Sequence, residues 1–326
     1  MRLSRGSGIE IKTPSQLARM REAGLVVAQV LSEVAAAAEP GISTAELDAI
    51  AERIIRSAGA VPSFLGYHGY PASICTSVNA EIVHGIPSKA VKLVAGDVLS
   101  IDAGAIVGGW HGDAARSIIV GGAVPGRDDK VVALLAACEL AMWRGLAAVK
   151  AGARLTDISH AIETSALASG PYGVIREYTG HFIGSAMHMD PPVPNYGRPG
   201  RGPVLAEGMA MAIEPMLVLG DRHTILLEDD WTVVTADGSL ASHFEHTVAI
   251  TPDGPIVTTA EDGGRGGLAS LSGLADFAGL GEVAELSATG GLDGKVGKGG
   301  LGGLETVPAG EDYETVAEER SGARRP

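Results

Sequence analysis

Hydrophobic and polar positions change rhythm several times along the chain, and each change marks an element. Thr13 precedes Pro14 as a helix cap precedes the first turn, and the run extends to about Glu39 before Pro40 and Gly41 stop it. Ser43 to Glu46, read as "STAE", is a capping box that opens a second helix ending near Gly59. Residues 73–84 and 97–120 are rich in Val and Ile and predict strands. Residues 128–152 have the spacing of a long amphipathic helix, and residues 156–170 that of a shorter one. From Met209 onward strands return in "MAMAIEPMLVLG", "TILLEDDWTVVT" and "HFEHTVAIT". This mixture predicts an α+β fold with a mainly antiparallel sheet covered by helices on one face. The order helix, helix, strands occurs twice, which hints at an internal duplication.

One pattern conflicts with burial. "VLSIDAGAIVGGWHGDAARSIIV" places Asp102 and Asp113 inside two apolar strands, with Arg116 as the only nearby cation. An ionised carboxylate in a core costs several kcal/mol unless something positive meets it. Four further stretches set a metal-competent side chain among apolar residues or glycines. "YTGHFIGSAMHMDPP" offers His181 and His188, "MAIEPM" offers Glu214, "HFEHTVAIT" offers Glu245 and "NAEIVHGIP" offers His84. Four carboxylates repel one another in a core, and two divalent ions would resolve the conflict. Oxygen ligands with one imidazole suit Mn, Fe, Co or Zn. A carboxylate can bridge two such ions about 3.5–4 Å apart, and the pair lowers the pKa of a shared water toward ~7.

Composition narrows the function classes. The 326 residues carry a formal net charge of −14, which argues against a nucleic-acid partner. Cys75 and Cys138 stand far apart and form no disulfide framework, which points to a reducing cytoplasm. "MRLSRGSGIEIK" has positive charge but no apolar region of the kind a signal peptide needs. No apolar run is expected to approach the length of a membrane span. Composition shifts near residue 260, so residues 1–260 are expected to form the catalytic domain. Residues 261–326, glycine-rich in "GGRGG" and "GKGGLGGLE", are expected to form a disordered tail.

"GYPASICTSVNAEIVHGIP", "SIDAGAIVGGWHGDAARS", "GHFIGSAMH", "AIEPM" and "WTVVTADGSLASHFEHTVAIT" resemble, in order and spacing, type I methionine aminopeptidases over about residues 12–252. The resemblance implies the pita-bread fold, with two pseudo-symmetric αββ halves around a curved antiparallel sheet and a central dinuclear site. It implies metal ligation by Asp102, Asp113, His181, Glu214 and Glu245, with Asp113 and Glu245 bridging two divalent ions (Co, Mn, Fe or Zn). Glu214 would also handle the proton of the attacking hydroxide. His84 and His188 match histidines that hydrogen-bond the scissile amide and its tetrahedral intermediate, as neutral donors beside a developing oxyanion can. Tyr67, Tyr70, Cys75, Met187 and Trp231 match the walls of a pocket for a methionine side chain, whose thioether favours aromatic and sulfur contacts. Cys75 lies in an apolar strand with no partner histidine nearby in sequence, so a wall is preferred over a nucleophile. His68, His111, His243 and His246 lie near the motifs and are assigned no ligation.

The implied activity is removal of N-terminal Met from nascent proteins and peptides when the second residue is small. The implied setting is a cytoplasmic monomer that meets nascent N-termini, with possible ribosome association and no nucleic-acid or membrane partner. Two rival readings share the fold. An Xaa-Pro peptidase typically carries a large extra N-terminal domain, whereas only about 70 residues precede the first motif strand here. Non-catalytic binding proteins of this kind have lost ligands, whereas all five are present. One departure stands out: the family has Gly after the metal histidine, and this chain has Phe182. An extended backbone would accommodate Phe without strain, and its ring is then expected to narrow the substrate channel.

Overall fold

The structure is a computed structural model and describes residues 8–271, so most of the expected tail lies outside the described residues. The first two helices start as their caps dictate. Thr13 accepts from Gln16 N while the Gln16 side chain answers the Thr13 N–H, opening α1 (Pro14–Ala37); Ser43 and Glu46 do the same for α2 (Thr44–Ser57). Next come β1 (Val61–Pro62), a 3-10 turn at Tyr67–Gly69, β2 (Ile74–Val78), β3 (Glu81–Val83), β4 (Val98–Val107) and β5 (Trp110–Ile119). The β4–β5 hairpin closes on Gly108 and Gly109, both at positive φ (58° and 83°), as a tight two-residue turn requires. A second helical pair follows, α3 (Asp129–Ala148) and α4 (Leu155–Ser169). The chain then forms β6 (Gly173–Val174), β7 (Gly180–Phe182), β8 (Met189–Val193), β9 (Ala210–Ile213) and β10 (Met216–Val218). It continues through β11 (Thr224–Leu226), β12 (Val233–Thr235), β13 (Ala241–His243), β14 (Glu245–Thr251) and β15 (Gly254–Val257).

The main sheet runs in the order β1-β4-β5-β14-β9-β7-β8, with β2 beside β4 and β15 beside β14. Small sheets β13-β10-β6 and β11-β12-β3 complete the described residues, and every pairing is antiparallel. Helix α1 crosses β4 and β5 so closely that a Cβ on Gly112 would stand 2.7 Å from the Gly24 backbone nitrogen. Gly112 therefore faces the helix, and by strand alternation its neighbour Asp113 faces away from it. One core joins α1 and α2 to β2, β4 and β5 through Val27, Val30, Leu47, Leu99 and Ile101. The other joins α3 and α4 to β7, β9 and β14 through Leu134, Met142, Ile158, Met211 and Ile213. These two helix-backed cores are the physical form of the repeated helix, helix, strands pattern.

Three expectations change. Within α3 an 18-residue stretch has a mean hydropathy of 1.6, long and apolar enough by length and composition alone to cross a membrane, where the sequence reading expected no such run. Its charged residues hide this from a scan for unbroken apolar runs, and its apolar face, from Leu134 to Leu146, packs into the core. Residues 261–271, assigned above to the tail, belong to the folded body. The Arg21 guanidinium donates to the carbonyls of Val257, Thr258, Ala260 and Glu261 at 3.2, 2.7, 2.5 and 2.7 Å. The Asp262 carboxylate then accepts from Gly264 N and Gly266 N, helical structure begins at Arg265, and Leu271 is buried.

The third change concerns Phe182. Its backbone is extended in β7, as expected, but its ring does not enter a channel. Phe182 pairs with Met211 on β9, and although the β7–β8 register shifts between His181 and Phe182, His181 lines the donor cavity while Phe182 turns to the helix-backed core. The ring is 1 % exposed and packs in the α3–α4 core. Phe182→Gly should therefore leave a cavity in that core and cost about 3–5 kcal/mol. Thermal denaturation should show a large fall in Tm, with peptide preference unchanged in whatever folded fraction remains.

Candidate metal centre

Five strands that are neighbours in the main sheet each bring one donor to one face. Asp102 on β4 lies opposite Ala115, and Asp113 on β5 lies opposite Gly104, which makes the two aspartates diagonal neighbours on one face. Glu245 on β14 pairs with the same Ala115. Glu214 follows Ile213 at the end of β9, and His181 lies on β7. The sequence places these groups 143 residues apart at the extremes (245 − 102), yet the order β4-β5-β14-β9-β7 sets them side by side.

His181 Nε2 stands 3.4 Å from Glu214 Oε1 and 4.0 Å from Asp113 Oδ2. Donor atoms of Asp113, His181 and Glu245 all lie within 4.8 Å of one another. Arg116 does not answer the charge. It alternates to the helix side of β5, where it lines a separate cavity with Ala28 and Glu139. Asp102 Oδ1, Asp113 Oδ1 and Glu245 Oε1 are buried without a hydrogen-bond partner. Burial raises the Asp102 pKa to about 7 and the Glu214 pKa to about 8. Burial also lifts Asp113 and Glu245 well above the carboxylate range, and the neighbouring carboxylates add to the effect. Orphaned carboxylate oxygens beside a single imidazole are the donor set of a divalent-cation site, so these residues fit metal ions.

His181 is set up as such a donor. Its Nδ1 stands 3.0 Å from the Phe182 carbonyl and donates to it, which leaves the Nε2 lone pair facing the carboxylates. Burial depresses its pKa to about 3, so the ring is neutral.

The donors form one side of a cavity of about 90 Å³. Tyr67, Tyr70, Cys75, Met187 and Trp231, the five expected pocket walls, all line it. Tyr70 and Trp231 meet edge to face at 5.0 Å between centroids. The Tyr70 hydroxyl is turned to the carbonyls of Ile74 and Gly85 at 3.2 and 3.1 Å. Burial holds the Cys75 thiol well above its usual pKa, so Cys75 is a protonated wall rather than a thiolate. His84 and His188 also line the cavity. Tyr67 Oη lies 2.9 Å from His188 Nδ1. Burial lowers both histidines, His84 to about 4, and His84 sits at positive φ (61°) with its ring edge-on to Tyr178 and Trp231.

The sequence reading missed three cavity residues, one of them Val83, the apolar neighbour of His84. Phe64 carries no pattern beyond being aromatic a few positions before Tyr67. His243 was noticed but given no part in the site, and it stands 3.7 Å from Glu214 Oε2 through Nε2. The other nearby histidines do not line the cavity. His111 meets Ser63 Oγ at 3.0 Å, His246 meets Thr259 Oγ1 at 2.8 Å, and His68 packs on Tyr67.

Comparison with known proteins agrees with this geometry. Residues 18–252 match the profile of metallopeptidase family M24. Methionine aminopeptidase 1 of Mycobacterium tuberculosis is 53% identical over 253 residues, covering 76% of this chain and 94% of that protein. Methionine aminopeptidase 1 of Bacillus subtilis is 51% identical, covering 74% and 96%. The crystal structure of methionine aminopeptidase from Thermotoga maritima superposes with a TM-score of 0.74 at 42% identity, covering 78% of this chain and all (100%) of that one. Xaa-Pro dipeptidase from Bacillus anthracis shares the fold at 24% identity and a TM-score of 0.61, with 77% of this chain matching 62% of that one.

The raised carboxyl pKa values give metal removal a pH signature. A folded, metal-free chain holds protons that the unfolded chain releases near pH 4. The stabilisation is complete below that pH and is lost as pH rises through the folded values of about 7 and 8 at Asp102 and Glu214. The Tm of fully chelated protein should therefore fall between pH 5 and 8, and added divalent metal should restore it most at the alkaline end. Thermal denaturation with verified metal content checks this, and a flat metal-free profile would count against the buried carboxylate cluster.

Proposed function

The chain belongs to the methionine aminopeptidases of metallopeptidase family M24, and we propose that it removes N-terminal Met by a division of labour between its donor cluster and its apolar pocket. It is a metal-dependent hydrolase of the pita-bread fold. The observation that carries the residue-level reading is the junction in one cavity of four carboxylates, Asp113 and Glu245 buried and Asp102 and Glu214 partly so, with a wall of aromatic and sulfur side chains.

Asp102, Asp113, His181, Glu214 and Glu245 would hold two divalent ions, with Co, Mn, Fe or Zn as candidates. Bound there, such ions supply Lewis acidity that polarises the scissile carbonyl and acidifies a water. The protein does the rest. Tyr67, Tyr70, Cys75, Met187 and Trp231 take the methionine side chain through aromatic and sulfur contacts. Glu214, lining the cavity beside His181, takes a proton from the attacking water and returns it to the leaving amine. The Tyr67 hydroxyl donates to His188 Nδ1, which keeps the proton on Nε2 and makes that ring a donor to the scissile amide. His84, neutral through burial, donates where the tetrahedral oxyanion develops.

The Xaa-Pro reading is weaker. Relatives named for Met removal reach 53% identity over nearly their whole length, whereas the Xaa-Pro structures align at 24% identity or less over about two thirds of theirs. A binding protein without catalysis is weaker too, because every expected ligand is present and faces the cavity. Nascent N-termini at the ribosome are the natural substrates on this reading, with a monomer as the working form. Both cysteines are buried and unpaired, which supports a reducing cytoplasm.

With metal restored, Met-Ala-Ser should be cleaved well, Met-Lys peptides far more slowly and Ala-Pro-Ala not at all. A bulky second residue crowds the amide held beside the ions. Equal rates on Met-Ala and Met-Lys would remove the specificity claim. Glu214→Gln should keep the fold and lose turnover by roughly 10²-fold or more, and activity within a few-fold of the parent would end its assigned role.

A further inference from the structure

Residues 183–188 leave β7 just after His181 and fold back over it. The His188 ring meets the His181 ring edge to face with 4.3 Å between centroids, and Met187 closes one wall of the cavity. Ser185 and Ala186, just before them, are exposed, so burial does not fix the tip of this loop. The His111 N–H donates to the Gly184 carbonyl at its base, at 3.0 Å. The tip is met by Glu10, from the strap that precedes α1. Ser185 N donates to Glu10 Oε1 at 3.2 Å, and Ser185 Oγ donates to Glu10 Oε2, across 175 positions of the chain.

Lys12 stands behind that carboxylate. Its side chain is 0 % exposed, and its ammonium lies 3.4 Å from Glu10 Oε1 and donates to the Glu10 carbonyl at 3.3 Å. A buried ammonium is costly without a partner, so this pair is held in place, unlike an ion pair between two mobile surface side chains. The strap is anchored on both sides of Glu10. Ile9 is buried in the α3–α4 core, and Lys12 N donates to the Gly208 carbonyl at 2.8 Å. The fit against the loop is close: a Cβ on Gly184 would stand 2.9 Å from Lys12 Nζ and nearer still to Lys12 Cε. Glu10, Lys12 and Ser185 do not line the cavity, so none of them is a wall of the site. We propose that Glu10, braced by Lys12, is a positioning residue that holds the 183–188 loop so that His188 presents its donor nitrogen to the scissile amide. Glu10 touches no substrate and acts through His188. Its loss lowers kcat more than it raises KM, because the misplaced donor counts most in the transition state.

This inference rests on the Met-removal reading above, and the test separates the two. The parent protein and the variants Glu10→Ala, His188→Ala and the double variant are loaded with divalent metal and assayed on Met-Ala-Ser. A parent that cleaves no Met peptide with any metal would overturn that reading and this one with it. With an active parent, Glu10→Ala is expected to lower kcat roughly tenfold or more while KM moves by less than about threefold. In the His188→Ala background the same substitution is expected to change kcat by less than about twofold, because the group it positions is gone. An equal loss in both backgrounds would overturn the proposal, since it would show a general loosening of the fold. Parent-like kcat in Glu10→Ala would overturn it as well. Circular dichroism and Tm confirm that the variants fold. If Glu10→Ala does not fold, Ser185→Ala, at an exposed position, removes the hydroxyl donor alone and is read in the same two backgrounds by the same criteria.

Discussion

Repulsion among Asp102, Asp113, Glu214 and Glu245 is the constraint around which this fold is organised. The four carboxylates come from adjoining strands of one sheet and turn to one face, away from helices α1 and α3. Three of them leave an oxygen buried and unpartnered. A protein free to choose would not place them so, because each is easier to ionise in water. Once ionised, they need positive charge between them, and the one cation near them in sequence points to the other side of the sheet. The close glycine contact of α1 with β5, the tight β4–β5 hairpin and the bond from His181 to the Phe182 carbonyl hold the donors where that charge must go.

Much of this was legible because the signals are local. The capping boxes at Thr13 and Ser43 fix two helix starts within a residue, and an acid inside an apolar strand marks a donor without any knowledge of its partners. The pocket walls followed from the resemblance, and the cavity gathers all of them. What escaped depends on three-dimensional neighbours. His243 looks like any histidine near a motif, and only the packing of β13 against β10 brings it beside Glu214. Phe182 was judged from its position after a ligand. The deciding fact is the pairing of Phe182 with Met211, which turns this ring into the core while His181 faces the cavity.

The same locality explains the errors of extent. Glycine content near residue 260 signals a loss of core-forming side chains, but it does not register the Arg21 guanidinium that gathers four carbonyls and carries the folded body onward to Leu271. Helix α3 shows the converse. Its composition would suit a lipid environment, and the second core fills that role instead.

Strand β14 has one more consequence. It lies between β5 and β9, so in the main sheet it joins the strands of the first half to those of the second, as β12 does beside β3 in a small sheet, yet it is the last of the donor strands in chain order. During synthesis the two halves can each gather their helices early, but the main-sheet seam between them stays open until Glu245 has been made. A metal centre that straddles such a seam cannot be loaded in instalments. On the proposed ligand set, a chain interrupted before β14 has most of the donors but lacks Glu245, so ion uptake would mark a completed seam.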